Sequence, residues 1–169
     1  MAKKIPTDPY AEVIDHFNRK GVRYAVVGMS GINYYAKSVR DTFATMDFDF
    51  FVEPLRGNVN KAIRVLKDLK FSIGTSAGAL KPEDFKEIVR ERKTLIATTP
   101  EGLLIELLLQ ISGYSFSELA KDAATFTVGG IPVRVGKLDK LLYSKLLAGR
   151  PKDRQFLKRY QTLLKDEKA

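Results

Sequence analysis

The chain contains no cysteine, which excludes disulfides and thiolate metal sites. A single histidine, His16, excludes a His-rich zinc site and any Ser-His-Asp triad that does not use it. No run of 18 apolar residues exists, so no membrane-spanning helix is expected. The first residues, Met1-Ala2-Lys3-Lys4-Ile5-Pro6, lack the apolar stretch of a secretory signal, and a cytoplasmic location is the default expectation. No internal repeat or low-complexity tract is present. Acidic residues are the scarcer charge, 20 Asp and Glu against 29 Lys and Arg, for a net +9. That balance favours anionic partners, whether nucleotide, nucleic acid or acidic protein. A solvated basic surface with no such partner has the same composition. The positive excess is spread along the chain and concentrates only from Lys145 to Lys168.

Apolar residues make up 44% of the 169 residues, enough for a core in one ordinary domain. The expected unit is the whole chain, with a core over about 22–135 and a helical segment over about 137–166. Asp8-Pro9 reads as an N-cap and first helical residue, followed by Tyr10, Val13, Ile14 and Phe17 at helical spacing up to Gly21. Val22 to Val27 reads as a buried strand broken by Gly28, with a short helix around Ile32, Tyr35 and Ala36 after it. Lys37 to Thr45 reads as a polar loop and Asp47 to Val52 as the next strand, closed by Pro54.

Asn58 to Leu69 has an apolar helical face, Phe71 to Ile73 reads as a short strand, and Thr75 to Leu80 as a small-residue loop. A helix over Pro82 to Arg92 precedes strands Thr94 to Ala97 and Leu103 to Leu109, and a short helix spans Phe116 to Lys121. Gly129-Gly130 between Ala124–Val128 and Ile131–Val135 signals a hairpin. Two helices, Leu138 to Leu147 and Pro151 to Lys165, finish the chain. Interleaved strands and helices with a hairpin predict an α/β or α+β domain with a mixed sheet.

The most informative residues are Asp47 and Asp49, within Met46-Asp47-Phe48-Asp49-Phe50-Phe51-Val52. Side chains at i and i+2 of a strand share a face, here roughly 6.6 Å apart along the backbone. Two carboxylates in so apolar a strand are costly unless a cation joins them, and Mg²⁺ takes oxygen ligands of this kind. Glu106 stands alone in Leu103-Leu104-Ile105-Glu106-Leu107-Leu108-Leu109. A salt bridge or a wet strand face would explain it. With Asp47 and Asp49 it becomes a candidate third carboxylate for two metals about 3.5–4 Å apart. Lys145 falls at the centre of the apolar face set by Leu138, Leu141 and Leu142. It either snorkels to the surface or points into a cleft, where it would meet phosphate as a point charge. Gly28-Met29-Ser30-Gly31 is neither a P-loop nor a dinucleotide fingerprint. Gly28 would let the backbone approach a ligand, and Ser30 with neighbouring N–H groups would bind phosphate. An ordinary strand-to-helix turn looks the same.

Taken together, Gly28 and Ser30 followed at some distance by Asp47-Phe48-Asp49 resemble the signature of the nucleotidyltransferase superfamily, with its DNA-polymerase-beta-like fold. Arg40 and Thr45 look like a stretched form of the Arg-x-Thr segment that often precedes the acidic pair. Val128 to Val133 followed by Leu141 to Asp153 is similar to the C-terminal segment of minimal nucleotidyltransferases, a group that includes the AbiE-type toxins. The resemblance runs from Val22 to Tyr160. It implies a Mg²⁺-dependent enzyme with two ions on Asp47 and Asp49 and Glu106 in the third acidic place, where the family usually has Asp. It also implies nucleotide contacts from Gly28, Ser30, Lys145 and Arg150, with Asp153 at a matching position. The implied reaction moves a nucleoside monophosphate from ATP or another NTP to a hydroxyl, with Glu106 or Asp47 as base. The acceptor would be tRNA, another RNA or a protein, and the implied protein partner is an antitoxin. The alternative is an inactive protein of the same fold that binds nucleic acid or a partner protein. In a third reading, Asp47 and Asp49 merely face solvent at a sheet edge.

Overall fold

The computed structural model describes residues 8–37, 42 and 47–168, with side chains through residue 162. Arg40 and Thr45, and most of the expected loop before Asp47, lie outside the described residues. Helix α1 (Pro9–Lys20) begins where the sequence places it: the Asp8 side chain accepts from the Tyr10 N–H at 3.0 Å, and Gly21 closes it in the left-handed conformation. Strand β1 (Tyr24–Val27) leads directly into the short helix α2 (Gly28–Asn33). The helix thus starts at the glycine itself, earlier than the apolar spacing of Ile32, Tyr35 and Ala36 indicates. Then come β2 (Phe48–Val52), α3 (Arg56–Asp68), β3 (Ser72–Thr75), β4 (Gly78–Ala79), a 3₁₀ turn (Pro82–Asp84), α4 (Phe85–Glu91), β5 (Leu95–Thr98) and β6 (Leu104–Leu108). Helix α5 (Phe116–Ala120), the hairpin β7 (Ala124–Val128) and β8 (Ile131–Val135), and helices α6 (Leu138–Ala148) and α7 (Pro151–Lys168) complete the chain.

The fold is mixed α/β, with one eight-stranded sheet in the order β4-β3-β5-β6-β2-β1-β8-β7. β1 pairs antiparallel with β2, whereas β2–β6 and β1–β8 are parallel. All four residues of β1 are buried, as expected of a central strand covered on both faces. On β2, Phe48 and Phe50 face the side covered by α1: Tyr10 stacks on Phe48 at 4.7 Å, and Phe17 meets Phe50 edge-on at 5.1 Å. Asp49 therefore points to the other face, the one α6 covers near β1. There Leu141 packs so closely on Gly31 and Gly136 that a Cβ at either would crowd its methyls. Among the described residues, no helix is long and apolar enough to cross a membrane.

Candidate metal centre

The register of the three central strands assembles the acidic residues. Val27 pairs with Asp49 across β1–β2, and Asp49 pairs with Glu106 across the parallel β2–β6 ladder. Directly paired residues share a face, so Glu106 lies beside Asp49, with Asp47 one pleat away on the same side. One carboxylate oxygen from each of Asp47, Asp49 and Glu106 lies within 4.8 Å of the other two, and all three side chains are half-buried. The reading of Asp47 and Asp49 as a solvent-facing sheet edge does not hold, because β2 lies inside the sheet between β6 and β1.

Local chemistry holds Asp49 in place. The Ser30 hydroxyl donates to Val27 O at 2.8 Å and accepts from the Asp49 N–H at 3.0 Å. Ser30 is buried and absorbed in these two bonds, so its side chain ties the β1–α2 turn to β2. Gly28 has φ +65°, and a Cβ there would run into Asp49 Oδ2. The glycine thus supplies a left-handed turn and clearance for a carboxylate. Asp49 Oδ1 is buried with no hydrogen-bond partner, which is rare for a charged group in a native fold.

These contacts set the proton affinities. Burial, with repulsion from Asp47 and Glu106, pushes Asp49 up to about 8, only partly countered by Lys145. Burial and Asp47 also raise Glu106, against Lys152 and Arg150. A cluster of acids that resists ionising by itself is stabilised by an added cation. Its donors are oxygens only, as hard divalent ions such as Mg²⁺ require. The residues present therefore fit a metal, and the orphaned Asp49 oxygen is the atom it would satisfy.

Opposite the acids stands a cationic wall. The acidic triad, Lys145, Arg150 and Lys152 line one cleft of about 650 Å³. The Lys145 side chain is only 12% exposed, with Nζ 3.4 Å from Asp153 Oδ1 and 5.0 Å above the Phe156 ring. It does not snorkel to solvent. Asp153 is buried and is the hub of this wall: Arg150 donates to it through Nε at 2.7 Å, through Nη2 and through its backbone N–H. Burial alone would push Asp153 up, but the Arg150 hydrogen bond and the Lys145 charge outweigh it and hold the carboxyl below its ordinary range. Gly28 lines the cleft and Ser30 does not. The cleft also holds Lys152, Gln110 and Ser144, which the motif reading did not single out. Lys152 was visible beside Asp153 in the basic C-terminal stretch, whereas Gln110 and Ser144 carry no signal beyond polarity. No known protein-family profile matches the chain, and no curated protein matches it.

Proposed function

We propose that this cleft is the active site of a Mg²⁺-dependent nucleotidyltransferase, moving a nucleoside monophosphate from an NTP to a hydroxyl acceptor. The supporting observation is the meeting in one cleft of three carboxylates, with oxygens within 4.8 Å, and a buried lysine held by Asp153. Asp47 and Asp49 would hold the two ions, with Glu106 completing the oxygen set. Such ions, when bound, neutralise the triphosphate and lower the pKa of the acceptor hydroxyl. Lys145 and Arg150 would take the phosphate oxygens as fixed cations, and Gly28 would admit the triphosphate beside Asp49. The acceptor oxygen attacks the α-phosphorus, forming one P–O bond while the bond to the bridging α–β oxygen breaks and pyrophosphate leaves. Glu106, with its raised proton affinity and half-exposed position, or Asp47 takes the acceptor proton. The basic charge suits RNA, tRNA included, as acceptor, and the family resemblance adds a toxin role with an antitoxin partner. Incubation with each α-labelled NTP, Mg²⁺, total tRNA and cell protein tests this reading. Label should appear in RNA or protein with wild type and be lost with Asp49→Asn. Absence of transfer from every NTP, or unchanged transfer by the variant, would overturn it.

A further inference from the structure

Helix α6 has two faces of different character. Leu138, Leu141, Leu142 and Lys145 turn toward the sheet and the cleft. The other face presents Asp139, Tyr143, Leu146 and Leu147, all exposed, and Arg150 follows one residue past the Gly149 cap. Five large hydrophobic side chains are exposed among the described residues; Tyr143 at 44%, Leu146 at 62% and Leu147 at 48% are three of them, packed into five positions. A cluster of this kind marks an interaction surface, where scattered single residues would not. The positions 139, 143, 146 and 150 are spaced four, three and four, the alternation of a helix–helix seam.

The charges choose the partner. The seam is acidic at its N-terminal end, apolar in the middle and basic at its C-terminal end. An antiparallel second copy of the same helix satisfies all three zones. About a two-fold axis midway along α6, Tyr143 falls opposite Leu146 of the second copy, and Asp139 lies level with the second copy's Arg150. A parallel pairing would set Asp139 against Asp139 and Arg150 against Arg150, a like-charge arrangement that costs affinity. Nucleic acid would meet two leucines and an aspartate on this face. We propose that the protein self-associates through α6 as an antiparallel, two-fold dimer.

The surface extends beyond the helix. Leu147 lies against the backbone of Gly113, where a Cβ would be 2.6 Å from its methyl, and Tyr114 meets Tyr143 edge-on at 6.1 Å. An eleven-residue helix is only about 16 Å long, so the seam with this loop is a small interface and the dimer is a weak one. It runs along the back of the helix that carries Lys145, so self-association braces the cationic wall. The inference does not depend on the nucleotidyltransferase reading.

Sedimentation of the wild-type chain from low to high micromolar concentration tests it. The weight-average mass should climb toward twice the monomer's, while Leu146→Asp, at an already exposed position, stays monomeric with an unchanged circular dichroism spectrum. The natural absence of cysteine allows a register test: Tyr143→Cys mixed with Leu146→Cys under mild oxidation should give mainly the mixed disulfide dimer. A wild-type monomer at every concentration, a dimer that survives Leu146→Asp, or equal yields of all cross-linked species would overturn the proposal.

Discussion

Asp49 faces opposing demands. Its backbone is pinned by Ser30, its carboxyl occupies the space Gly28 leaves, and one oxygen lacks a partner. In the absence of a cation its folded-state pKa is about 8 against an ordinary 3.8. The folded state then keeps a proton that the unfolded chain releases, so stability falls as pH rises between those two values and levels off above the upper one. Asp49→Asn removes that cost. In chelator at the upper end of this range it should raise Tm by roughly 4–8 °C, for about 2 kcal/mol. Mg²⁺ should raise the wild-type Tm, more so as pH rises because binding displaces a proton, and should leave Asp49→Asn unmoved. Thermal melts across this pH range with and without Mg²⁺ check both statements. At Gly28, alanine meets both the positive φ and the Asp49 carboxyl. Gly28→Ala should cost about 1–2 kcal/mol in urea unfolding and weaken cation binding together with it.

At the scale of elements, α6 and α7 act as one bracket, with Asp153 as its pin. Removing one partner of a buried ion pair leaves the other uncompensated, and Asp153→Ala should cost about 3 kcal/mol by urea denaturation. Acid should weaken the same contact: a lowered carboxyl contributes stability above its unfolded pKa and loses it as pH falls through the folded one. Which elements could be read in advance follows from where their signals reside. α1 carries its own cap and stop, and the β7–β8 hairpin its Gly-Gly turn, so both were legible. β3–β4 was not, because Thr75 to Leu80 has no apolar alternation and Gly78–Ala79 pairs through backbone alone. α2 was placed too late because a glycine reads as a breaker, whereas here its conformation opens the helix. For the site, sequence supplied the three carboxylates and Lys145. It could not supply the β2–β6 pairing, a contact between residues more than fifty positions apart that no local pattern encodes. Nor did Asp153 declare itself as the hub, since beside Lys152 it looked equally suited to a different pair.

For the whole molecule, charge is distributed against the site's own sign. The chain is strongly basic, with ten Lys and Arg against four Asp and Glu from Lys137 to Lys168, yet the cleft floor is acidic. An anionic polymer would be drawn by the basic C-terminal segment and repelled by the floor unless cations cover it. If RNA is the acceptor, anisotropy should show binding that weakens steeply with salt and tightens when Mg²⁺ is present. An inactive binding protein would instead hold RNA equally well or better after Asp47→Ala, with no dependence on nucleotide. The most direct test of the metal–nucleotide site is calorimetric titration of each NTP into wild type and Asp49→Asn, with and without Mg²⁺. The expected result is binding of at least one NTP to wild type only when Mg²⁺ is present, and its loss in Asp49→Asn. Binding of no NTP, or unchanged binding by the variant, would contradict it.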